Sequence, residues 1–358
     1  MILNSNYVPI LKWKQGEKNA LSVIPLNIKK TFTPLIEIVP PTYDFAKKRY
    51  KKSIDEHLQD IGDTFFKSWN SELPFFIDLK WLPIKMHTCF NVHTLKYILS
   101  EARKKSYKVI PVTGSKRDLA YQNEIKKAIV EDNLGVCFRI EEHDFINIDE
   151  CIKTLLAFYS IRPSDVDLVI DFDYILEKDT NKNYLSIIAL IHSIPFINDW
   201  RTITLCSTSF PEDTSSIPTN TVGNIKRSEW LIWKQLFNNR ASLKRLPSFG
   251  DYGISNPNYK EIDPRIMTMS ANIRYTVENK WIIVKGNSTR KHGWEQTHNL
   301  SKKLTTLNEF SGHSFSWGDK YISDCAKKVV TRGNASTWRK VGTNHHITYV
   351  INQLSNLL

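Results

Sequence analysis

The chain is expected to fold as an α/β protein, a (β/α)8 TIM-like barrel followed by a basic α+β extension at the C-terminus. Three observations predict this. Short apolar runs with strand character recur eight times through the first 250 residues, most intervals between them carry helical spacing, and the alternation gives way after Gly250 to a hairpin pattern. Repeated strand–helix units in that number suit a closed parallel barrel. An open doubly wound sheet gives the same local signals, and only the count favours closure.

In chain order the strands are expected at Tyr7 to Leu11, Pro34 to Val39, Phe75 to Leu79, Lys108 to Val112, Val136 to Ile140, Asp167 to Phe172, Thr202 to Cys206 and, more weakly, Leu246 to Gly250. Phe75-Phe76-Ile77 and Leu168-Val169-Ile170 are continuously apolar, as strands covered on both faces must be. The crossover helices show as apolar residues at helical intervals. Examples are Val92, Leu95, Ile98, Leu99 and Ala102, then Ile152, Leu155, Leu156 and Tyr159, then Leu185, Ile188, Ala189 and His192. Beyond Gly250, Asn272 to Thr276 and Trp281 to Val284 predict two strands joined by a turn over Val277 to Lys280. Helices are predicted around Gln296 to Leu307 and Tyr321 to Val330, and Ile347, Val350, Ile351 and Leu354 predict a docked terminal helix within His346 to Leu358. Residues 1–255 are assigned to the barrel and 256–358 to the extension packed on it. Ser207 to Arg227 is the longest irregular stretch, the kind of loop that often serves as a lid or binding loop.

Composition narrows the function. No run approaches the roughly 18 consecutive apolar residues of a membrane helix, and Met1 to Tyr7 lacks the layout of a secretory signal, so a cytoplasmic protein without membrane association is expected. The five cysteines are widely spaced and never form a Cys-x-x-Cys pair, which argues against a disulfide framework or a thiolate zinc site. Of the net charge of +12, residues 271–358 contribute an excess of +8, with 13 Lys and Arg against 5 Asp and Glu. Trp281, Trp294, Trp317, Trp338, Tyr275, Tyr321 and Tyr349 are interleaved with those cations. That combination suits a surface that holds phosphates and stacks bases, and equally a solvated basic face over an aromatic core.

In a parallel barrel the trailing ends of all the strands open onto one face. Nearly every predicted strand ends in a charge or hydroxyl: Lys12 and Lys14, Glu37, Asp78 and Lys80, Thr113, Arg139 and Glu141, Asp171 and Asp173, Ser207 and Ser209, Asp251 and Tyr252. Strand residues two apart share a face, so Asp171 and Asp173 are candidates to point into the mouth together, as are Asp78 and Lys80. Such acids suit a divalent metal or an acid–base pair, and the same residues suit a structural network of mutual neutralisation. Arg139, after apolar Cys137-Phe138, is the basic residue expected to be partly buried, where a guanidinium can clamp phosphate or carboxylate. Gly114-Ser115-Lys116 and Arg117-Asp118 look like a loop entering a helix, more often a cap than an anion site. No phosphate-binding P-loop, Gly-x-Gly-x-x-Gly, His-Glu-x-x-His or Gly-x-Ser-x-Gly occurs, which removes the commonest nucleotide, zinc-protease and serine-hydrolase classes. Adjacent His345 and His346 point apart on either a strand or a helix.

Tyr7-Val8-Pro9-Ile10-Leu11-Lys12-Trp13-Lys14-Gln15-Gly16-Glu17, Pro34-Leu35-Ile36-Glu37, Phe249-Gly250-Asp251-Tyr252-Gly253-Ile254, Ile273-Arg274-Tyr275-Thr276, Phe315-Ser316-Trp317-Gly318-Asp319 and Gly342-Thr343-Asn344-His345-His346-Ile347-Thr348 resemble the phage "beta protein" family, found in phages and bacterial genomes. The resemblance spans nearly the whole chain. It implies that barrel and extension form one unit and suggests phage–host conflict as the setting, in defence or counter-defence. It brings no residue-by-residue activity. If the extension folds over the barrel mouth, the strand ends would share one cleft with Arg274, Lys285, Gln296, Trp317, Asp319, Asn334, Arg339 and His345.

Two function classes follow. A metal-assisted enzyme, a hydrolase or phosphodiesterase acting on nucleic acid or another phosphate-bearing substrate, would use Glu37, Asp78, Asp171 and Asp173 as catalytic acids. Asp171 and Asp173 would hold magnesium or manganese. Lys12, Lys14, Lys80, Arg139 and Ser207 from the barrel would bind substrate, with Asp251, Arg274, Lys285, Trp317 and His345. A non-enzymatic sensor would instead grip nucleic acid or a phage protein through the basic aromatic quarter. An assembly subunit is a third possibility.

Overall fold

The strand period of two decides which side chains enter the barrel. The computed structural model describes residues 7–263, 265–266 and 269–357. Of the Met1 to Tyr7 segment judged for a secretory signal, residues 1–6 lie outside this description, as does Leu358 of the terminal helix. The barrel strands are β1 (Val8–Lys12), β2 (Leu35–Glu37), β3 (Phe75–Asp78), β4 (Val109–Thr113), β5 (Val136–Glu141), β6 (Val166–Tyr174) and β7 (Thr202–Thr208). A later strand, β8 (Val222–Lys226), lies outside the barrel, and β9 (Ser248–Asp251) closes it onto β1. Every barrel pairing is parallel.

Inward residues form one apolar group, with Val8, Ile10, Leu35, Phe76, Val112, Cys137, Val169 and Cys206 among them. Residues one step along each strand, such as Leu11, Ile36, Ile77, Phe138 and Ile170, pack outward against the surrounding helices. Gly250 permits this density, because a Cβ there would meet Cys206 Sγ at 2.1 Å. The helical intervals fold as α1 (Gln15–Ser22), α2 (Ile61–Ser68), α3 (Thr94–Lys104), α4 (Leu119–Asp132), α5 (Ile148–Tyr159), α6 (Thr180–Ser193) and α7 (Ser228–Asn238).

The extension carries β10 (Ser270–Val277) and β11 (Lys280–Ser288), an antiparallel pair with a two-residue connection. Its sheet has the order β8-β11-β10, so a strand from within residues 1–255 completes it. The Ser207 to Arg227 stretch, expected to be irregular, therefore contains strand at both ends. Val222-Gly-Asn-Ile-Lys is too short to show a period, and its ladder partner lies some sixty residues away in sequence (Val222 opposite Val284). Helices α8 (Thr297–Thr305) and α9 (Trp317–Ala326) pack on this sheet, as does α10 (Ala335–Ser355), over a second core that includes Ile273, Tyr275, Val284, Leu304, Ile322 and Trp338.

Helix α10 starts eleven residues earlier than the sequence predicts. Asn334 caps it by accepting the Thr337 N–H at 3.1 Å. Every residue from Val341 to Thr348 is buried, because the helix runs between barrel and extension and has no solvent stripe for periodicity to reveal. Its first turns pack closely on α1, where a Cβ on Gly16 would strike the Arg339 side chain. Among the described residues no helix is long and apolar enough to cross a membrane.

Candidate functional site

Strand register lines up Lys12, Glu37 and Asp78 as neighbours on β1, β2 and β3. Above the apolar layers these charges meet the fully buried Arg139 from β5. Its Nη1 donates to Glu37 Oε1 and Asp78 Oδ2, each at 2.8 Å, its Nε donates to Asp171 Oδ2 at 2.9 Å, and its Nη2 donates to the Tyr252 hydroxyl at 2.8 Å. Tyr252 donates in turn to Asp171 Oδ2 at 2.6 Å. Arg117 donates to Asp78 Oδ1 at 2.6 Å, and Trp81 Nε1 donates to Glu37 Oε2 at 2.9 Å. Burial pulls the Arg139 guanidinium down, but Tyr252 and the three acids overcome it and hold the group charged, well above its ordinary value. Burial likewise raises Asp78, yet Arg117 and Arg139 outweigh it and keep the carboxyl below the usual range.

A strap after β9 covers this layer. Lys12 Nζ donates to Asn256 O at 3.0 Å and Pro257 O at 2.7 Å, Tyr259 lies 5.9 Å from the Trp81 ring, and Glu261 accepts the Tyr43 N–H at 2.6 Å. Outside it, Lys80 pairs with Glu141, and Lys14 Nζ sits 4.6 Å from the Tyr259 ring. Asp173 differs from the other acids. It lies at a register break in β6 with a left-handed φ of 55°, and its Oδ1 is buried without a partner. Burial and then Asp171 raise its carboxyl above the ordinary value.

Beside the mouth, α10 carries two buried histidines, of which His346 joins the barrel to the extension. His346 Nε2 lies 2.8 Å from Asp251 Oδ2, its Nδ1 lies 2.8 Å from Thr276 Oγ1, and Tyr7 donates to Asp251 Oδ1 at 2.6 Å. Burial lowers His346, while Asp251, raised by burial, is drawn below its ordinary value by His346 and Tyr7. A neutral ring that donates from Nε2 to an ionised Asp251 satisfies both. His345 instead meets Asp319 Oδ2 at 2.8 Å and Thr276 O at 2.7 Å.

A cleft of about 600 Å³ opens at the seam between barrel and extension. Arg274, Lys285, Arg339 and Lys260 line it, with Trp294 and the acids Glu212 and Asp213. Arg274 lies against Phe210 (4.8 Å), and its hydrogen-bond partners are neutral, Ile254 O at 2.8 Å and Asn272 Oδ1 at 3.4 Å. Burial, and then the neighbouring Arg339, pull its guanidinium down to about 9. Buried Lys285 spends two of its three donors on the carbonyls of Thr214 and Ile217, each at 2.7 Å. Arg339 holds Ser255 Oγ at 2.6 Å and stands 3.6 Å from Glu17. Both cations thus have only neutral hydrogen-bond partners, with Asp213 near Lys285 and Glu17 near Arg274 as the acids that act on them at longer range, an environment that an incoming anion relieves.

The predicted site residues divide among these places. Lys12, Glu37, Asp78, Lys80, Arg139, Asp171 and Asp173 meet at the mouth, with Lys14 at its edge. Arg274 and Lys285 line the cleft, as does Arg339. Asp251 lies in the buried seam, His345 is buried within the extension on Asp319 and the Thr276 carbonyl, and Ser207 is buried in β7. Trp317 stacks on Tyr321 at 5.4 Å and carries Lys340 Nζ 3.7 Å from its ring, away from the cleft lining. Gln296 bonds to the Asn287 backbone, and Asp118 caps α4 by accepting the Tyr121 N–H at 3.0 Å. Asp171 and Asp173 do not fit magnesium or manganese. Both Asp171 oxygens are already engaged, Oδ2 by Arg139 and Tyr252 and Oδ1 by the Asp173 N–H at 2.9 Å, and a guanidinium occupies the place of a cation. Tyr252 was expected among the polar strand ends and Arg117 in a loop entering a helix, but neither was assigned a catalytic or binding role. Their aromatic and loop positions gave no signal of a shared carboxylate partner.

A family model described as Beta protein matches residues 7–352. Among solved structures, triosephosphate isomerase from Bartonella henselae is similar at 11% identity and a TM-score of 0.34, covering 70% of this chain and 92% of that one. No curated protein matches the chain.

Proposed function

The chain belongs to the Beta protein family, and on that premise we propose that it binds a phosphate-bearing ligand of nucleotide size, free or as part of a single strand, in the seam cleft. The phage–host setting implied by the sequence resemblance is part of this proposal. One observation carries it: Arg274 and Lys285 line the same cleft and are hydrogen-bonded only to neutral groups. Phosphate oxygens suit a guanidinium fork and an ammonium donor together, and Trp294 offers a flat face for a base. A volume of about 600 Å³ lies within the range of small-ligand sites.

The test is an anisotropy titration with a labelled oligothymidylate of about ten nucleotides, with competition by ATP and pyrophosphate. Binding is expected without added metal and in the presence of chelator. Its log affinity should fall linearly with log salt, by roughly 0.7 for each phosphate neutralised. Competition by ATP indicates a free-nucleotide site, and its absence indicates a strand. Binding to neither ligand at low salt contradicts the proposal.

A second reading, catalysis at the mouth, is favoured by the unpartnered Oδ1 of Asp173 on a left-handed backbone. A carboxyl raised by burial suits a general acid or base. Product formed in the same mixtures, and lost in Asp173→Asn while binding persists, selects this reading.

A further inference from the structure

Outside the mouth and the cleft, three segments that are separate in sequence bring two imidazoles and a carboxylate together. His87 follows a short turn after β3, His93 precedes α3, and Asp118 precedes α4. One ligand atom from each lies within 4.8 Å of the others. His87 Nδ1 stands 3.1 Å from Asp118 Oδ2, close to the edge of about 3.3 Å expected for ligand atoms around a tetrahedral metal with bonds near 2.0–2.1 Å. The rings of His87 and His93 are 5.7 Å apart at 62°, so they converge without stacking.

Around His87 and Asp118 the surroundings match those of a metal ligand set. His87 Nε2 is 3.1 Å from Leu82 O, so it donates there and leaves the Nδ1 lone pair for a metal, the usual outer support for a ligating imidazole. Asp118 spends Oδ1 on the helix cap and turns Oδ2 to the cluster. His93 Nε2 is buried and has no hydrogen-bond partner. His93 Nδ1 accepts the Leu95 N–H at 3.2 Å, so the neutral ring carries its proton on Nε2. Coordination through Nε2 moves that proton to Nδ1 and exchanges a long capping bond for a metal bond. His87 and Asp118 keep some exposure, 17% and 34%, which gives a path from solvent.

We propose that His87, His93 and Asp118 form a three-ligand site for a divalent transition metal of the zinc class at the rim of the barrel, with its fourth position open to solvent. Two nitrogens and one carboxylate oxygen suit zinc or cobalt better than magnesium or calcium, which take oxygen ligands. The site is independent of the phosphate-binding proposal, because it shares no residue with the cleft. It stands beside the central charges, since Arg117, which holds Asp78, is the neighbour of Asp118 in sequence.

Cobalt titration of the full chain tests this. One equivalent is expected to bring up visible bands of a tetrahedral or five-coordinate complex, which zinc displaces and which raise Tm until chelator is added. The double variant His87→Gln/Asp118→Asn keeps a capping residue at the helix start. It is expected to keep its fold by circular dichroism and to lose at least 100-fold in cobalt affinity. Absence of a one-to-one signal in the native chain, or an equal signal in the folded double variant, overturns the proposal. If that variant does not fold, His87→Gln alone carries the same comparison.

Discussion

Replacing Arg139 with methionine is expected to destabilise the fold by about 3–5 kcal/mol, a large share of the roughly 5–15 kcal/mol that holds a domain together. The cause is not lost attraction alone. Glu37, Asp78 and Asp171 are buried at 0–1% exposure and converge on this one guanidinium, so its removal leaves three acids facing each other out of water. Arg117 continues to serve Asp78, which limits the damage on that side. Arg139→Lys retains the charge without the fork and should fall between the two.

The pH dependence separates this cause from a simple packing loss. In the native chain Asp78 is held below its ordinary value, so its contribution is complete above about pH 4 and is lost as the pH falls through the lowered value. In Arg139→Met the same carboxyl loses a cation and rises, so mild acid should restore part of the stability. Urea midpoints measured from pH 7 to pH 5 therefore move upward in the variant. A variant as stable as the native chain at pH 7, or one with no such rise, contradicts the assigned role.

Arg274→Gln is expected to have the opposite profile, with ligand affinity lost and stability kept. A charge-assisted hydrogen bond contributes about 1.5–3 kcal/mol, so titration should show roughly a 10- to 150-fold weaker complex with a shallower salt slope. Because Arg274 lacks a carboxylate partner and burial disfavours its charge, the neutral amide should leave Tm unchanged or raise it. Arg139 and Arg274 are both enclosed arginines, yet one completes a neutral network and the other awaits an anion. Equal affinity in native and Arg274→Gln chains would remove the guanidinium from the binding site.

Those two arginines also mark how far sequence alone reaches. Charged residues that trail apolar runs, such as Lys12, Glu37, Asp78 and Asp171, are legible because strand alternation fixes which face they take. The count of eight such runs, with the weak Leu246 to Gly250 included, favoured a closed barrel over an open sheet, and the closed barrel is what forms. What alternation leaves open is pairing. Whether an acid in the mouth is free or satisfied depends on a guanidinium 32 to 102 residues away, and that is a tertiary fact. Helix α10 was only half visible, because burial on all sides erases the apolar stripe, and β8 was missed because its ladder is non-local. The cleft cations Arg274 and Lys285 came from the expectation that the extension folds over the mouth, whereas Trp317 and His345, expected in the same cleft, went to packing and to the Asp319 bond. His87, His93 and Asp118 carry no spacing signal, since only folding brings their loops together.

Hydrogen–deuterium exchange with and without oligothymidylate locates the ligand most directly. If the seam cleft is the binding site, protection appears at residues 212–215, 254–256, 270–274 and 335–339, and it disappears in Arg274→Gln. Protection confined to the loops around Lys80, Glu141 and Asp173, with the seam unchanged, would place the ligand at the barrel mouth and contradict the cleft.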